Sequence, residues 1–218
     1  MSIALIVELD PLFLGGFALP AELLSERLEK YGILDTDPYR FVRKLYGKPF
    51  TKSLAGLLPE TIDVAHVERR LAATYTALLQ QNAQTVAEQL RPIFKPLAKQ
   101  GVRFAVITRL RPAIVNELFE GIADDVTTIF DPLPLAIGLQ PETLQSALVA
   151  LGLPIRYCLG LFACGASVRA SVRIGLRAVA VPDPMVAFEN CAGASFVADQ
   201  MTKTFIAKLQ AALLAKKN

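Results

Sequence analysis

Residues Ile3 to Val7 form an unbroken apolar run that stops abruptly at Glu8-Leu9-Asp10-Pro11. A run of this length closed by acids and proline reads as a strand buried on both faces of a parallel sheet, because only such a strand is apolar at every position. That placement sets Glu8 and Asp10 at the carboxyl edge of the strand. In open α/β sheets, ligands bind at this edge.

The chain that follows predicts two kinds of organisation. After Gly15-Gly16 it reads as helical to about residue 90, with one helix over 21–30 stopped by Gly32 and a second starting at Asp37-Pro38. The clearest helix follows Asp63, where Val64, Val67, Leu71, Tyr75 and Leu78 recur at three- and four-residue spacing. His66, Arg69, Arg70 and Ala73 fall on its opposite face, as a solvated basic strip or a phosphate-contacting surface. A further helix is expected over 83–90, and another from Pro92 to Gln100, closed by Gly101. From Val102 onward, strands (102–108, 126–130, 157–162 and 177–181) alternate with helices (112–120, 141–150 and 167–174). The last helix carries Met201, Phe205, Leu209 and Leu213 on one face and ends in Lys216-Lys217.

Composition removes several functional classes. The net charge of +3, from 23 basic and 20 acidic residues, is too balanced to point to nucleic acid or a membrane surface. Hydrophobic content is high at 53%, yet no stretch of eighteen uninterrupted apolar residues occurs, so no membrane span is expected. The three cysteines, Cys158, Cys164 and Cys191, suggest neither a disulfide framework nor a zinc site. Without a recognisable leader at the N-terminus, the cytoplasm is the expected compartment. His66 is the only histidine, which rules out multi-histidine metal sites and any Ser-His-Asp triad that does not use it.

Five strands with helices between them, and a helical insert after the first, resemble the haloacid dehalogenase (HAD) superfamily in its phosphoglycolate-phosphatase and β-phosphoglucomutase branch. The most specific stretch runs from Cys158 to Val181, which matches the family's fourth strand, loop, helix and fifth strand in length and apolar phase. The resemblance implies an α/β fold with a Rossmann-like parallel sheet, 1–14 joined to 90–218, and an α-helical cap domain over 15–89. It also implies magnesium-dependent phosphoryl transfer, in which a first acid becomes an aspartyl-phosphate and a second acts as acid and base.

Laid on the family's motifs, the chain keeps some residues and lacks others. Asp10 matches the acid/base, Glu8 stands at the nucleophile, and Thr108 closes the second strand where Thr or Ser is expected. The lysine position falls on Gly138, and no lysine occurs between Lys99 and Lys203. Ala163 and Ser167 hold the two acid positions of the fourth loop, with no acid between Glu142 and Asp183. Asp183 follows the fifth strand, too far from the first to reach a metal unless its loop folds back.

Glu8, Asp10 and Thr108 are therefore the candidate catalytic residues, the acids being either a working pair or solvated strand-end carboxylates. Thr108, Ser167 and Arg109 are candidate anion-binding residues, Ser167 at the start of a helix and Arg109 as a cation or as a surface loop residue. No metal site is expected, because the family's magnesium ligands are largely missing. Without these charges, phosphoryl transfer loses its catalyst. The main expectation is accordingly a pseudoenzyme with a binding, regulatory or scaffold role, and the alternative is a divergent hydrolase of a small phosphorylated metabolite working through Glu8 and Asp10. A small anionic or phosphorylated ligand, and a homodimer or protein partner, are the candidate partners.

Overall fold

The computed structural model describes residues 2–33, 37–45, 50–131 and 137–215. Six parallel strands form one sheet in the order β3-β2-β1-β4-β5-β6. They are β1 (Ile3–Glu8), β2 (Val102–Thr108), β3 (Val126–Phe130), β4 (Cys158–Phe162), β5 (Arg177–Ala180) and β6 (Phe196–Val197). β1 lies at the centre, as its apolar composition requires, and Ala4 to Val7 are fully buried. The sixth strand was not expected. It has two residues and carries no periodicity to read.

The strand order reverses between β1 and β4, which opens a crevice at their carboxyl ends. Glu8 ends β1 on one side of that crevice and Ala163 follows β4 on the other.

Nine helices complete the described residues: α1 (Leu9–Phe13), α2 (Ala18–Glu29), α3 (Pro38–Leu45), α4 (Phe50–Ala55), α5 (Val64–Ala98), α6 (Pro112–Phe119), α7 (Pro141–Leu151), α8 (Gly165–Arg173) and α9 (Lys203–Leu214). The three helices expected between Asp63 and Gly101 are one helix of 35 residues. Asp63 caps it, accepting from the backbone N–H groups of Ala65 and His66. Pro92 and Pro96 lie inside it and do not break it. Proline removes a rung of the hydrogen-bond ladder, but Leu90, Ile93, Phe94 and Leu97 are buried as one stripe and hold the last turns in line. Phe94 packs edge-on against Phe104 and Phe119, with ring centroids 5.4 and 5.3 Å apart. The boundary expected between residues 89 and 90 thus falls within a continuous helix.

Further along α5 the buried stripe is Val67, Leu71, Tyr75 and Leu79, and His66, Arg69 and Arg70 are exposed. In α9, Phe205, Leu209 and Leu213 are buried in the same core as β1 and β4. The apolar face of this C-terminal helix is spent inside the fold, so it offers no support for a dimer or partner surface. Lys216 and Lys217 lie outside the described residues.

Candidate active site

Glu8 is buried, and its side chain crosses from β1 to the loop after β4. One carboxylate oxygen accepts the backbone N–H of Ala163 at 2.9 Å, and the other accepts the hydroxyl of Ser167, also at 2.9 Å. The Ser167 oxygen in turn accepts the N–H of Leu139 at 2.9 Å and lies 3.3 Å from the sulfur of Cys164. One hydroxyl therefore ties β1, α8 and the turn before α7 together. The expectation of a solvated Glu8 does not hold, because both oxygens are engaged by the protein itself.

Asp10 lies in α1 and is also buried, so it is not a solvated strand-end acid either. Its carboxylate accepts the Thr108 hydroxyl and, at 2.9 Å, the backbone N–H of Arg109. The Thr108 oxygen accepts the N–H of Leu110 at 3.1 Å. Thr108 and Ser167 thus each have their hydroxyl proton committed to a carboxylate, so neither presents a free donor to an anion. Cys164 is buried below them, and loss of solvent pushes its thiol well up, away from any nucleophilic role.

Arg109 is buried rather than a surface loop residue, whereas Arg111 is exposed. The Arg109 guanidinium donates to the carbonyl of Asp131 at 3.1 Å and lies over the ring of Phe130 at 5.6 Å. Its Nε is buried without a hydrogen-bond partner among the described residues. The aliphatic stem is covered on its way to the cavity, an outcome that surface statistics for arginine do not anticipate.

These groups surround a cavity of about 30 Å³ that Glu8, Asp10, Phe17, Tyr75, Arg109 and Asp131 help to line. That volume holds a water or two, not a phosphoester. Asp131 and Tyr75 were not read as site residues from the sequence. Asp131 follows a strand at the same edge as Glu8, and that position was the available signal. Tyr75 sits on the buried stripe of α5, where a core residue and a site residue share one periodicity.

Burial pushes the Glu8 carboxyl up to about 7, against the hydrogen bonds from Ala163 and Ser167 that favour its charge. Asp10 is likewise pushed up to about 7 by burial, against its bonds from Thr108 and Arg109. The charge of Asp131 adds to both shifts. Two acids that titrate near neutrality in one cavity can give or take a proton there. Tyr75 is held well above the ordinary phenol range, chiefly by burial, so it stays protonated.

The residues present do not fit a magnesium ion. Each Glu8 oxygen already accepts a hydrogen bond from the protein, and a methyl and a hydroxyl, of Ala163 and Ser167, stand where the resemblance would place the two acids of the fourth loop. Asp183 does not fold back to help: its carboxylate accepts the N–H groups of Phe17 (3.2 Å) and Met185 (2.8 Å). Among the described residues no three acids, histidines or cysteines are grouped so as to hold a metal. Magnesium demands near-ideal octahedral oxygen geometry, and this donor set does not offer it. Gly138, at the lysine position, has φ +95° and is packed against the methyl of Ala166, which leaves no room for a side chain.

No family model matches the chain, and no curated protein matches it in sequence. Solved structures do match. CbbY from Rhodobacter sphaeroides, in complex with phosphate, is 18% identical over 92% of this chain and 95% of its own, with a TM-score of 0.66. β-Phosphoglucomutase from Clostridium difficile is 16% identical over 99% of this chain and 100% of its own, with a TM-score of 0.67. A haloacid dehalogenase-like family hydrolase from Streptococcus pneumoniae is 12% identical over 96% and 97%, with a TM-score of 0.66. No helix among the described residues is long and apolar enough to cross a membrane. The strand order, the crevice beside β1 and these neighbours converge on one architecture: the chain carries the haloacid dehalogenase-like fold of the phosphatases and phosphomutases it resembles.

Proposed function

We propose that this chain is a HAD-fold protein that has left magnesium-dependent phosphoryl transfer and serves as a binding, regulatory or scaffold protein. The observation that carries the reading is the engagement of both Glu8 oxygens by Ala163 and Ser167, the two positions where this fold would otherwise present acids. A nucleophile needs a free oxygen aimed at phosphorus and cations to spread the charge. Here each Glu8 oxygen already accepts a hydrogen bond that holds it toward the loop after β4, and Gly138, at the lysine position, has no room for a side chain. Its ligand, in this reading, is a small anionic or phosphorylated molecule that meets Arg109 once the cavity opens. The division into a core of 1–14 and 90–218 and a cap of 15–89 belongs to the same proposal, as does a homodimer or protein partner. Three free, buried cysteines support a reducing cytoplasm as its compartment.

A second reading is favoured by a specific observation. Glu8 and Asp10 line one cavity with Arg109 and both titrate near neutrality, as an acid/base pair would. The structural neighbours also speak for a divergent HAD-type hydrolase of a small phosphorylated metabolite. One experiment separates the two: a phosphatase screen over many phosphoesters with magnesium, beside Glu8→Gln and Asp10→Asn variants. Turnover that disappears in Glu8→Gln establishes the hydrolase. No turnover, with no magnesium uptake by calorimetry, leaves the binding protein.

A further inference from the structure

The cavity is too small for any phosphorylated ligand in this arrangement, so something must move to admit one. Part of its wall comes from the segment just after Gly16, since Phe17 and Pro20 line it together with the acids. That segment is fastened to the far side of the sheet at one place. Asp183, in the loop after β5, accepts the Phe17 N–H with one carboxylate oxygen and the Met185 N–H with the other. Its own N–H donates at 2.8 Å to the carbonyl of Ala163, the same residue whose N–H bonds Glu8. Gly16 has φ +65°, and the Asp183 carboxylate fills the space that a Cβ there would need. Only glycine allows so close an approach.

The same loop takes two further contacts from α3. The Tyr39 hydroxyl donates to the Pro184 carbonyl at 2.9 Å, and the Arg43 guanidinium lies over the Phe188 ring at 5.1 Å. All three contacts join the helical segment between β1 and β2 to one short stretch, 183–188. None of the three is part of the acid cluster.

We infer that Asp183 is the latch of the cavity: its carboxylate holds Phe17 against the acids, and its release admits the ligand. Asp183 is a positioning residue here, since it acts through the Phe17 backbone. Local opening of this kind draws on contacts that are few and partly exposed, as these are. The role of the cavity as a ligand site rests on the function proposed above, but the latch can be measured without any ligand.

The test is amide hydrogen exchange on the full chain, read at Phe17, over 18–29 and 38–45, and over β1, β2 and β4. In Asp183→Ala, exchange at Phe17 and in α2 should rise about tenfold, the equivalent of one lost hydrogen bond to a charged group, with the three strands unchanged. Gly16→Ala should act in the same direction by displacing the carboxylate. Tyr39→Phe should loosen α3 alone, and it keeps the test open if Asp183→Ala does not fold. Unchanged protection of Phe17 in both Asp183→Ala and Gly16→Ala would overturn the latch, and so would a rise shared equally by β1 and β4. If the latch opens as expected while inorganic phosphate shows no heat of binding to the Asp183→Ala protein, the ligand reading fails and the latch stands.

Discussion

The methyl of Ala166 occupies the place where a side chain on Gly138 would begin. Ala166 and Gly138 come from different elements, and their packing leaves no room for a side chain where the sequence resemblance would place a lysine. Gly138→Lys should not restore a charge to the site. It should instead destabilise the fold by about 1–3 kcal/mol, from a non-glycine residue at positive φ and from the overlap with Ala166. Adding Ala166→Gly should recover part of that loss, as read from urea midpoints.

Ser167→Ala removes the donor to Glu8 and the acceptor for Leu139 at once. Each partner left unsatisfied in the interior costs about 1–3 kcal/mol. The expected destabilisation is therefore several times that of an ordinary surface serine. The loss should be smaller in a Glu8→Gln background, because a neutral amide is cheaper to leave unpaired. A double-mutant cycle by chemical denaturation measures this coupling.

Stability should fall between about pH 4 and pH 7. Glu8 and Asp10 are each pushed up to about 7 in the fold, so in that window the folded state binds more protons than the unfolded one. Unfolding free energy then decreases as pH rises. The stabilisation is present below the unfolded pKa values and lost as pH passes through about 7, at up to about 1.4 kcal/mol per pH unit per group. Glu8→Gln and Asp10→Asn should each flatten the curve, and the double variant should flatten it most. A pH series of thermal melts tests the sign directly, since a curve that climbs through this window contradicts it.

Magnesium should leave the melting temperature unchanged. A ligand at 100 times its Kd adds about 2.7 kcal/mol to the folded state, so a metal site working at millimolar concentration would be plain in a thermal melt with and without chelator. A clear upward shift with magnesium would contradict the donor geometry around Glu8.

The chain's fold was legible because parallel strands announce themselves. β1, β2 and β4 are apolar at nearly every position, and glycine or proline marks their neighbours. The long helix was less so: Pro92 and Pro96 are local breakers, and only packing around Phe94 overrides them. At the site, the structure brings the motif positions Glu8, Asp10, Thr108 and Ser167 to one sheet edge, where each acid accepts one of the two hydroxyls. The motifs did not show that Ser167 and Thr108 spend their hydroxyls in this way, because hydrogen-bond partners are chosen in three dimensions. Asp131 and Tyr75 escaped for the same reason. One is an acid just past the end of β3, two strands from β1, and the other is an aromatic whose periodicity is that of core.

Helix α5 carries a mechanical consequence. At 1.5 Å per residue its 35 residues make a rod of roughly 50 Å, with Tyr75 about a third of the way along and Phe94 wedged beneath the sheet. The return path into β2 is therefore a girder rather than a tether, whereas the outgoing path turns through Gly15 and Gly16, both at positive φ. A tilt of the outer end must be borne either by the whole rod or by the stretch around Pro92 and Pro96, where two backbone donors are missing from its ladder. Stiffening that stretch by replacing both prolines with alanine would bind the movement of the outer helices more tightly to the aromatic cluster at the rod's foot.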